Sequence, residues 1–320
     1  MIVTARRTLG LILGVFCCLP LAAFAAAPQP THEFTLDNGL KVIVREDHRA
    51  PVVVSQVWYK VGSSYETPGK TGLSHALEHM VFKGSSKLCP AESDHIFQSL
   101  GISDNAATQS DATLFFQTLP PYALAVALEV MADQMSTAHL SAVHWEGERE
   151  VIKSERSESV DNDPQQRALE LPQRLAFPAS ASGSPVIGWM PDLEAMQPAD
   201  ARDWYRRWYT PANAYLVVVG DVDHRRVFRD AERHYGPIVA RALPERRISA
   251  EPQQQGPRQA VVKAPAELPY LSMAWHVPAL RDPATDREAY ALQVLAALLD
   301  GYDGARLTRH LVRDSGLALS

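Results

Sequence analysis

Residues 72–84 read GLSHALEHMVFKG. In a helix over residues 73–82, at about 100° per residue, one face collects apolar side chains: Leu73, Ala76, Leu77 and Met80. The opposite face carries His75, Glu78, His79 and Phe82. The pattern therefore predicts that the apolar face packs in the core and that the polar face forms a functional site. An exposed helix with a chance polar stripe would have the same pattern.

His75 and His79 stand four residues apart, so both imidazoles can reach one metal ion. Glu78, between them, is close enough to hydrogen-bond a water on that ion. Zinc suits these ligands, because a catalytic zinc takes three protein ligands and keeps one position for water. The segment predicts one Zn²⁺ per chain, with a third protein ligand elsewhere.

A helix expected over residues 143–160 offers that ligand. Glu148 and Glu155 are seven residues apart and share one stripe. The rest of that stripe is apolar: Trp145, Val151 and Ile152. A carboxylate is costly to bury unless it is paired or binds a metal, so one glutamate would be the ligand and the other would support it. The spacing does not say which, and a charged helix exposed to solvent, with Arg156 solvated, is the alternative.

The pattern around these helices predicts an α+β fold. We expect strands at 41–44, 52–58, 105–118 and 215–219. We expect further helices at 92–100, 122–136, 165–176 and 200–208. Early paired strands followed by blocks of helices favour a mixed, mainly antiparallel sheet covered by helices. After residue 258 the pattern restarts, with a strand at 271–277 and a helix at 287–299.

The amino terminus predicts export. Arg6 and Arg7 precede an uncharged run over residues 9–27 that ends in small residues, as in a secretory signal peptide, here residues 1–27. A membrane anchor is the weaker alternative, because the strongly apolar part, 9–24, is short for a span. We therefore expect a periplasmic or secreted protein without a stable membrane anchor after cleavage. Cys89 would then have no disulfide partner.

Composition excludes other classes. With 46% hydrophobic and 21% charged residues the chain is globular, and its net charge of −6 offers no basic surface, so no nucleic-acid partner is expected. Nine of the 11 histidines lie outside the 75–79 motif and lack ligand spacing. We expect those nine, His32, His48 and His224 among them, to be surface or hydrogen-bonded residues.

Taken together, these residues resemble the pitrilysin/insulinase metallopeptidases, which include the mitochondrial processing peptidases and carry the inverted zinc motif His-x-x-Glu-His. Similar blocks occur at 61–66 (VGSSYE), 105–108 (NAAT), 209–213 (YTPAN) and 218–222 (VVGDV). The resemblance runs from His32 to the end. It implies His75, His79 and Glu155 as zinc ligands, Glu78 as the general base on a zinc-bound water, and Glu148 as the supporting acid.

The resemblance also implies an activity, that of an endopeptidase acting on unfolded peptides or small proteins. The strand that begins with Asn105, Ala106 and Thr108 is similar to one to which such enzymes add an extended substrate, through main-chain hydrogen bonds. An ordinary inner strand is an equal alternative. Two other functions stay open: a partner or peptide-binding subunit of a two-chain peptidase, and a zinc-stabilised structural domain, which usually has four protein ligands.

The expected organisation is a peptidase domain over 32–235, a Pro- and Gln-rich linker over 236–258 and a substrate-clamping second domain over 259–320. Relatives close a clamshell from two similar halves, and residues 303–318 resemble the middle of the second half. We therefore expect the second half to be incomplete at Ser320, in a truncated chain or a shortened relative. The chain alone would then lack an enclosed chamber, which is why the partner-subunit alternative stays open.

Overall fold

A six-stranded sheet organises the part of the chain that the structure, a computed structural model, describes: residues 30–246 and 249–319. The predicted signal peptide lies outside these residues. The strands are β1 (Thr31–Thr35), β2 (Lys41–Glu46), β3 (Val53–Tyr59), β4 (Ser103–Thr108), β5 (Thr113–Leu119) and β6 (Ala214–Gly220). Their order is β1-β2-β6-β3-β5-β4. Only β2 and β6 pair in parallel, so the mixed, mainly antiparallel sheet is confirmed.

The described residues also form helices, several of which pack against this sheet. They are α1 (Leu73–Val81), α2 (Glu92–Ser99), α3 (Leu124–Thr137), α4 (Ala142–Arg156), α5 (Pro164–Ala176), α6 (Met190–Ala195), α7 (Pro198–Trp208), α8 (His224–Tyr235) and α9 (Arg287–Asp300). Alternate residues of β3 and β6 are buried, as one covered face requires. The predicted apolar face of α1 lies in the core, where Leu77 and Met80 are fully buried.

Two strand expectations are wrong. β2 and β3 follow each other in sequence but do not pair, because β6 lies between them: Val218 is opposite both Val44 and Ser55. The apolar run of β6 is best buried at the sheet centre, far from the edges. The single strand expected over 105–118 is a hairpin, β4 and β5, whose turn over residues 109–112 contains Ser110 and Asp111, residues that favour turns.

The segment over residues 249–319 contributes little to the core. Ala305 is the one buried residue in it, and α9 buries none. The strand expected at 271–277 does not form, because no neighbouring strand in the described residues pairs with it. Among the described residues, no helix combines the length and apolar character that crossing a bilayer requires.

Candidate metal centre

Three potential ligand atoms converge above α1. The Nε2 atoms of His75 and His79 are 3.3 Å apart, and Glu155 Oε2 lies 3.7 Å from the first and 3.6 Å from the second. A tetrahedral zinc centre with bonds of about 2.0–2.1 Å keeps its ligand atoms roughly 3.4 Å apart. The triangle formed by His75, His79 and Glu155 therefore has the size that zinc requires, and the three residues form a potential metal site.

The environment of His75 favours the imidazole form that binds metals. Burial, and secondarily the neighbouring His79, lowers the pKa of His75 to about 4, so the ring is neutral at neutral pH. Its Nδ1 atom is buried and has no hydrogen-bond partner in the described structure. A neutral imidazole beside a second imidazole and a carboxylate is a donor set that fits zinc.

The two glutamates of α4 lie on different sides of His79. Glu155 approaches the Nε2 atom, whereas Glu148 Oε2 is 3.3 Å from Nδ1 and Glu148 Oε1 is 2.7 Å from Lys83 Nζ. The Glu148 side chain is 15% exposed and that of Glu155 is 45% exposed. Glu148 is thus placed to hold the imidazole ring in position, while Glu155 faces the atoms that would share an ion.

The expected surroundings of these glutamates are only partly correct. Trp145 and Ile152 are buried as predicted, but Val151 is 50% exposed. Arg156, expected in solvent, is 4% exposed. Its guanidinium donates to both oxygens of Glu170, to Asp161 and, over 2.7 Å, to the Gly188 carbonyl. It is buried because the end of α4 packs over the loop at 188 and these partners neutralise its charge.

Glu78 lies beside the histidines and is 8% exposed. Its Oε2 atom accepts a hydrogen bond from Thr108 Oγ1 over 2.5 Å. Burial raises the pKa of Glu78, whereas the Thr108 hydrogen bond and His79 lower it and Glu155 raises it further. A buried carboxylate with a raised pKa next to a metal-binding cluster has the properties of a general base.

The contact with Thr108 connects Glu78 to β4, which is an edge strand of the described sheet. Asn105, Ala106 and Thr108 face Phe116, Phe115 and Thr113 of β5. The opposite edge of β4 has no strand partner among the described residues. Main-chain groups on that edge are placed to pair with an extended peptide a short distance from Glu78.

The amino-terminal end of α1 is held by close backbone packing. Gly72 has a φ of +85°, and a Cβ there would lie 2.6 Å from the Ile187 carbonyl oxygen and 2.9 Å from Gly188 Cα. The buried Glu66 carboxylate accepts the backbone N–H groups of Gly72 and Ser74 over 2.8 and 2.7 Å. Burial outweighs these donors and raises the pKa of Glu66 to about 7. Since Arg156 binds Gly188, the same loop connects α1 with α4.

The fold brings together a second group of potential ligands that the sequence did not predict. His32, Glu46 and His224 each offer an atom within 4.8 Å of the others. They come from β1, β2 and the start of α8. No spacing signal could have found them, because their proximity arises only when the sheet assembles.

Comparison with known proteins identifies the family of the chain. The family model described as insulinase (peptidase family M16) matches residues 41–188, and that of the peptidase M16 inactive domain matches residues 195–320. Zinc protease PqqE of Helicobacter pylori is 32% identical over 322 residues, which cover 98% of this chain and 71% of that protein. The chain belongs to the M16 insulinase family of zinc proteases.

Other M16 proteins are similar over different shares of their length. The crystal structure of a protease from Helicobacter pylori has a TM-score of 0.80 at 29% identity, covering 90% of this M16 chain and 69% of that one. The crystal structure of the first half of the periplasmic protease PqqL from Escherichia coli has a TM-score of 0.65 at 25% identity. The match covers 72% of this chain and 51% of that one. Mitochondrial-processing peptidase subunit beta of Lentinula edodes is 29% identical, over 68% of this chain and 47% of that protein.

Proposed function

We propose that the chain is an exported zinc endopeptidase that hydrolyses peptide bonds in unfolded peptides or small proteins. The observation that carries this proposal is the convergence of His75, His79 and Glu155 beside the buried carboxylate of Glu78. These three side chains would hold one zinc ion per chain. Membership of a zinc-protease family supports the same assignment.

The chemistry divides between the ion and Glu78. Zinc, when bound, would supply Lewis acidity toward the scissile carbonyl and the attacking water. Glu78 accepts a proton from that water as its oxygen bonds to the carbonyl carbon, and then delivers the proton to the amine nitrogen as the C–N bond breaks. Burial raises the pKa of Glu78, which strengthens the carboxylate as a base, and Thr108 orients it.

An extended peptide would add to the free edge of β4 along Asn105, Ala106 and Thr108. Main-chain hydrogen bonds place few demands on the peptide's side chains, so this mode suits unfolded substrates of varied sequence. The hydrogen bond between Thr108 and Glu78 would keep the bound peptide close to the base.

We also propose the domain limits expected from sequence, with a peptidase domain over 32–235, a linker over 236–258 and a second domain over 259–320. β6 lies between β2 and β3, so residues 214–220 belong to the same sheet as the amino-terminal strands. This pairing supports a peptidase domain that extends beyond β6, to residue 235. Export would be directed by the signal peptide 1–27, which would then be removed, in line with the periplasmic relative PqqL. The intact mass of the protein recovered from the periplasm would verify the removal.

The test is Glu78→Gln in the full chain, with zinc content and hydrolysis of an unfolded fluorogenic peptide measured on the same preparation. We expect zinc to remain bound while turnover falls by roughly 10²–10⁴-fold, because the base is lost and the ligands are not. Glu150→Gln, which changes an exposed glutamate of α4, is the matched control and keeps full activity. Hydrolysis by Glu78→Gln at the wild-type rate would contradict the proposal.

A second candidate is a partner or peptide-binding subunit of a two-chain peptidase. The similarity to a protein named as a subunit, the beta subunit of the mitochondrial processing peptidase, favours it. Such a subunit would bind zinc and an unfolded peptide but would not hydrolyse the peptide on its own. Chelator-sensitive hydrolysis by the purified chain would exclude this function.

A further inference from the structure

We propose that Lys83 is a positioning residue of the zinc site, which acts through Glu148 on the imidazole of His79. Lys83 itself would bind neither the ion nor the substrate. Its ammonium group would hold the Glu148 carboxylate in the place where that carboxylate orients the ring. This role rests on the zinc site proposed above, because it is an effect on zinc affinity.

A single carboxylate bridges Lys83 and His79. Glu148 Oε1 lies 2.7 Å from Lys83 Nζ, and Glu148 Oε2 lies 3.3 Å from His79 Nδ1. Lys83 stands two residues beyond the end of α1, but its backbone N–H still donates to the Met80 carbonyl over 3.1 Å, so the turn continues to it. Side chains four positions apart lie on one side of such a turn. Both oxygens of the α4 carboxylate are therefore held from α1.

Lys83 supplies the positive charge that the Glu148 carboxylate needs. The Glu148 side chain is 15% exposed and that of Lys83 is 31% exposed. Among the described ion pairs, Lys83 is the only lysine or arginine that contacts any of the three glutamates at the site, Glu78, Glu148 and Glu155. A largely buried carboxylate is costly unless a partner compensates its charge. The ion pair therefore stabilises Glu148 in the orientation that contacts His79.

A cavity beside Glu148 offers its carboxylate another partner. The cavity has a volume of about 300 Å³ and is lined by Glu148 and Lys83 together with apolar side chains such as Phe82 and Val143. Its volume is ample for several water molecules. Without the ammonium group of Lys83, the carboxylate would be free to turn into this cavity and become hydrated. It would then lose its contact with His79.

The contact with Glu148 favours the form of the His79 ring that binds metal at the α1 site. A carboxylate beside Nδ1 favours a proton on that nitrogen, which leaves the lone pair on Nε2. Nε2 is the atom that lies 3.3 Å from His75 Nε2 and 3.6 Å from Glu155 Oε2. Lys83 thus influences a ligand atom through two successive contacts.

Two possible effects of Lys83 on zinc affinity have opposite signs. An ammonium group close to the site repels Zn²⁺, so if Lys83 acted only as a charge, its removal would tighten zinc binding. If Lys83 acts by holding Glu148, its removal weakens zinc binding, because His79 loses its orienting carboxylate. The sign of the change in zinc affinity therefore distinguishes a positioning role from a purely electrostatic one.

The experiment titrates Zn²⁺ into the metal-free full chain in competition with a chelating dye. We expect Lys83→Met to weaken zinc binding roughly 10-fold, the lower end of what loss of a group that supports a ligand costs. Lys83→Arg keeps a cation and should recover most of the affinity. In a Glu148→Gln background, Lys83→Met should have little further effect, because Lys83 acts through Glu148. The matched control is Lys87→Met, which removes a lysine paired with Glu129 at the surface and leaves zinc affinity unchanged.

A second measurement needs no metal. The ring ¹⁵N chemical shifts of His79 at alkaline pH report which nitrogen carries the proton. We expect the proton on Nδ1 in the metal-free wild type, and a shift toward Nε2 in both Lys83→Met and Glu148→Gln. Circular dichroism and Tm without zinc verify that each variant folds.

The outcomes separate the role of Lys83 from the proposed function. Unchanged or tighter zinc binding in folded Lys83→Met would overturn the role of Lys83, and so would an equal further loss in the Glu148→Gln background. A folded wild type that binds no zinc would overturn this role together with the proposed function. A wild type that binds zinc without hydrolysing peptides would contradict the proposed function alone, because the titration and the ring shifts measure binding and not turnover.

Discussion

At the scale of single residues, Glu155 and Glu148 occupy different positions around His79, which supports the proposal that Glu155 is a zinc ligand and that Glu148 orients the ring. Glu155 Oε2 is near both Nε2 atoms, whereas Glu148 contacts only Nδ1 of His79. We expect Glu148→Gln to lower zinc affinity roughly 10–100-fold, because the ring loses its orienting carboxylate, and Glu155→Gln to lower it further. Competition titration with a zinc-binding dye measures both. If Glu148→Gln lost more zinc affinity than Glu155→Gln, Glu148 would be the ligand and Glu155 the positioning group.

Glu66 makes stability depend on pH. Its pKa is about 7 in the folded chain, against a usual value of 4.5. The folded state therefore keeps the Glu66 proton up to a higher pH than the unfolded state does. The contribution of this proton to the free energy of unfolding is fully present below pH 4.5 and is lost as the pH rises to about 7. We expect the free energy of unfolding of the wild type, relative to Glu66→Gln, to fall by about 3 kcal/mol over this range. Urea unfolding at several pH values measures it, and a difference that does not change with pH would contradict it.

At the scale of elements, α1 and α4 are predictable because their periodicity is local. The two faces of α1 follow from residues three and four positions apart, and its core face is buried as expected. The hairpin of β4 and β5 and the burial of Arg156 were missed. The hairpin depends on a short turn that contains Ser110 and Asp111. The burial of Arg156 depends on Glu170 and Gly188, which contact Arg156 only when α5 and the following loop pack against α4.

Arg156 connects α4, the helix that carries Glu155, to the loop at Gly188 that packs against the start of α1. We expect Arg156→Met to destabilise the chain by about 3–5 kcal/mol, since it leaves Glu170 without its partner. Zinc affinity should fall as well, because Glu155 is the preceding residue. The control is Arg149→Met, whose partner Glu146 is 62% exposed and whose effect should stay within about 1 kcal/mol. Urea unfolding of metal-free protein distinguishes the two, and equal effects would mean that the Arg156 network stabilises little.

At the scale of the whole molecule, the core lies almost entirely in the first part of the chain. Residues 249–285 form no helix or strand, and none of them is buried. We expect their amides to exchange with deuterium at close to the free rate, while those of the central strands β3 and β6 are protected by paired neighbours on both sides. Hydrogen exchange with mass spectrometry measures this. Slow exchange of the amides over residues 271–277 would contradict this prediction and would support the strand expected from sequence.

By itself, the sequence determined the α+β class, the helix that carries His75, Glu78 and His79, and the resemblance to a zinc-peptidase family. Those signals are local, because periodicity and motif spacing extend over a few residues. Only the tertiary structure decided that β6 separates β2 from β3 and that β4 is an edge strand next to Glu78. It alone brought His32 and Glu46 to His224, because strand pairing and helix packing join residues that no local pattern connects.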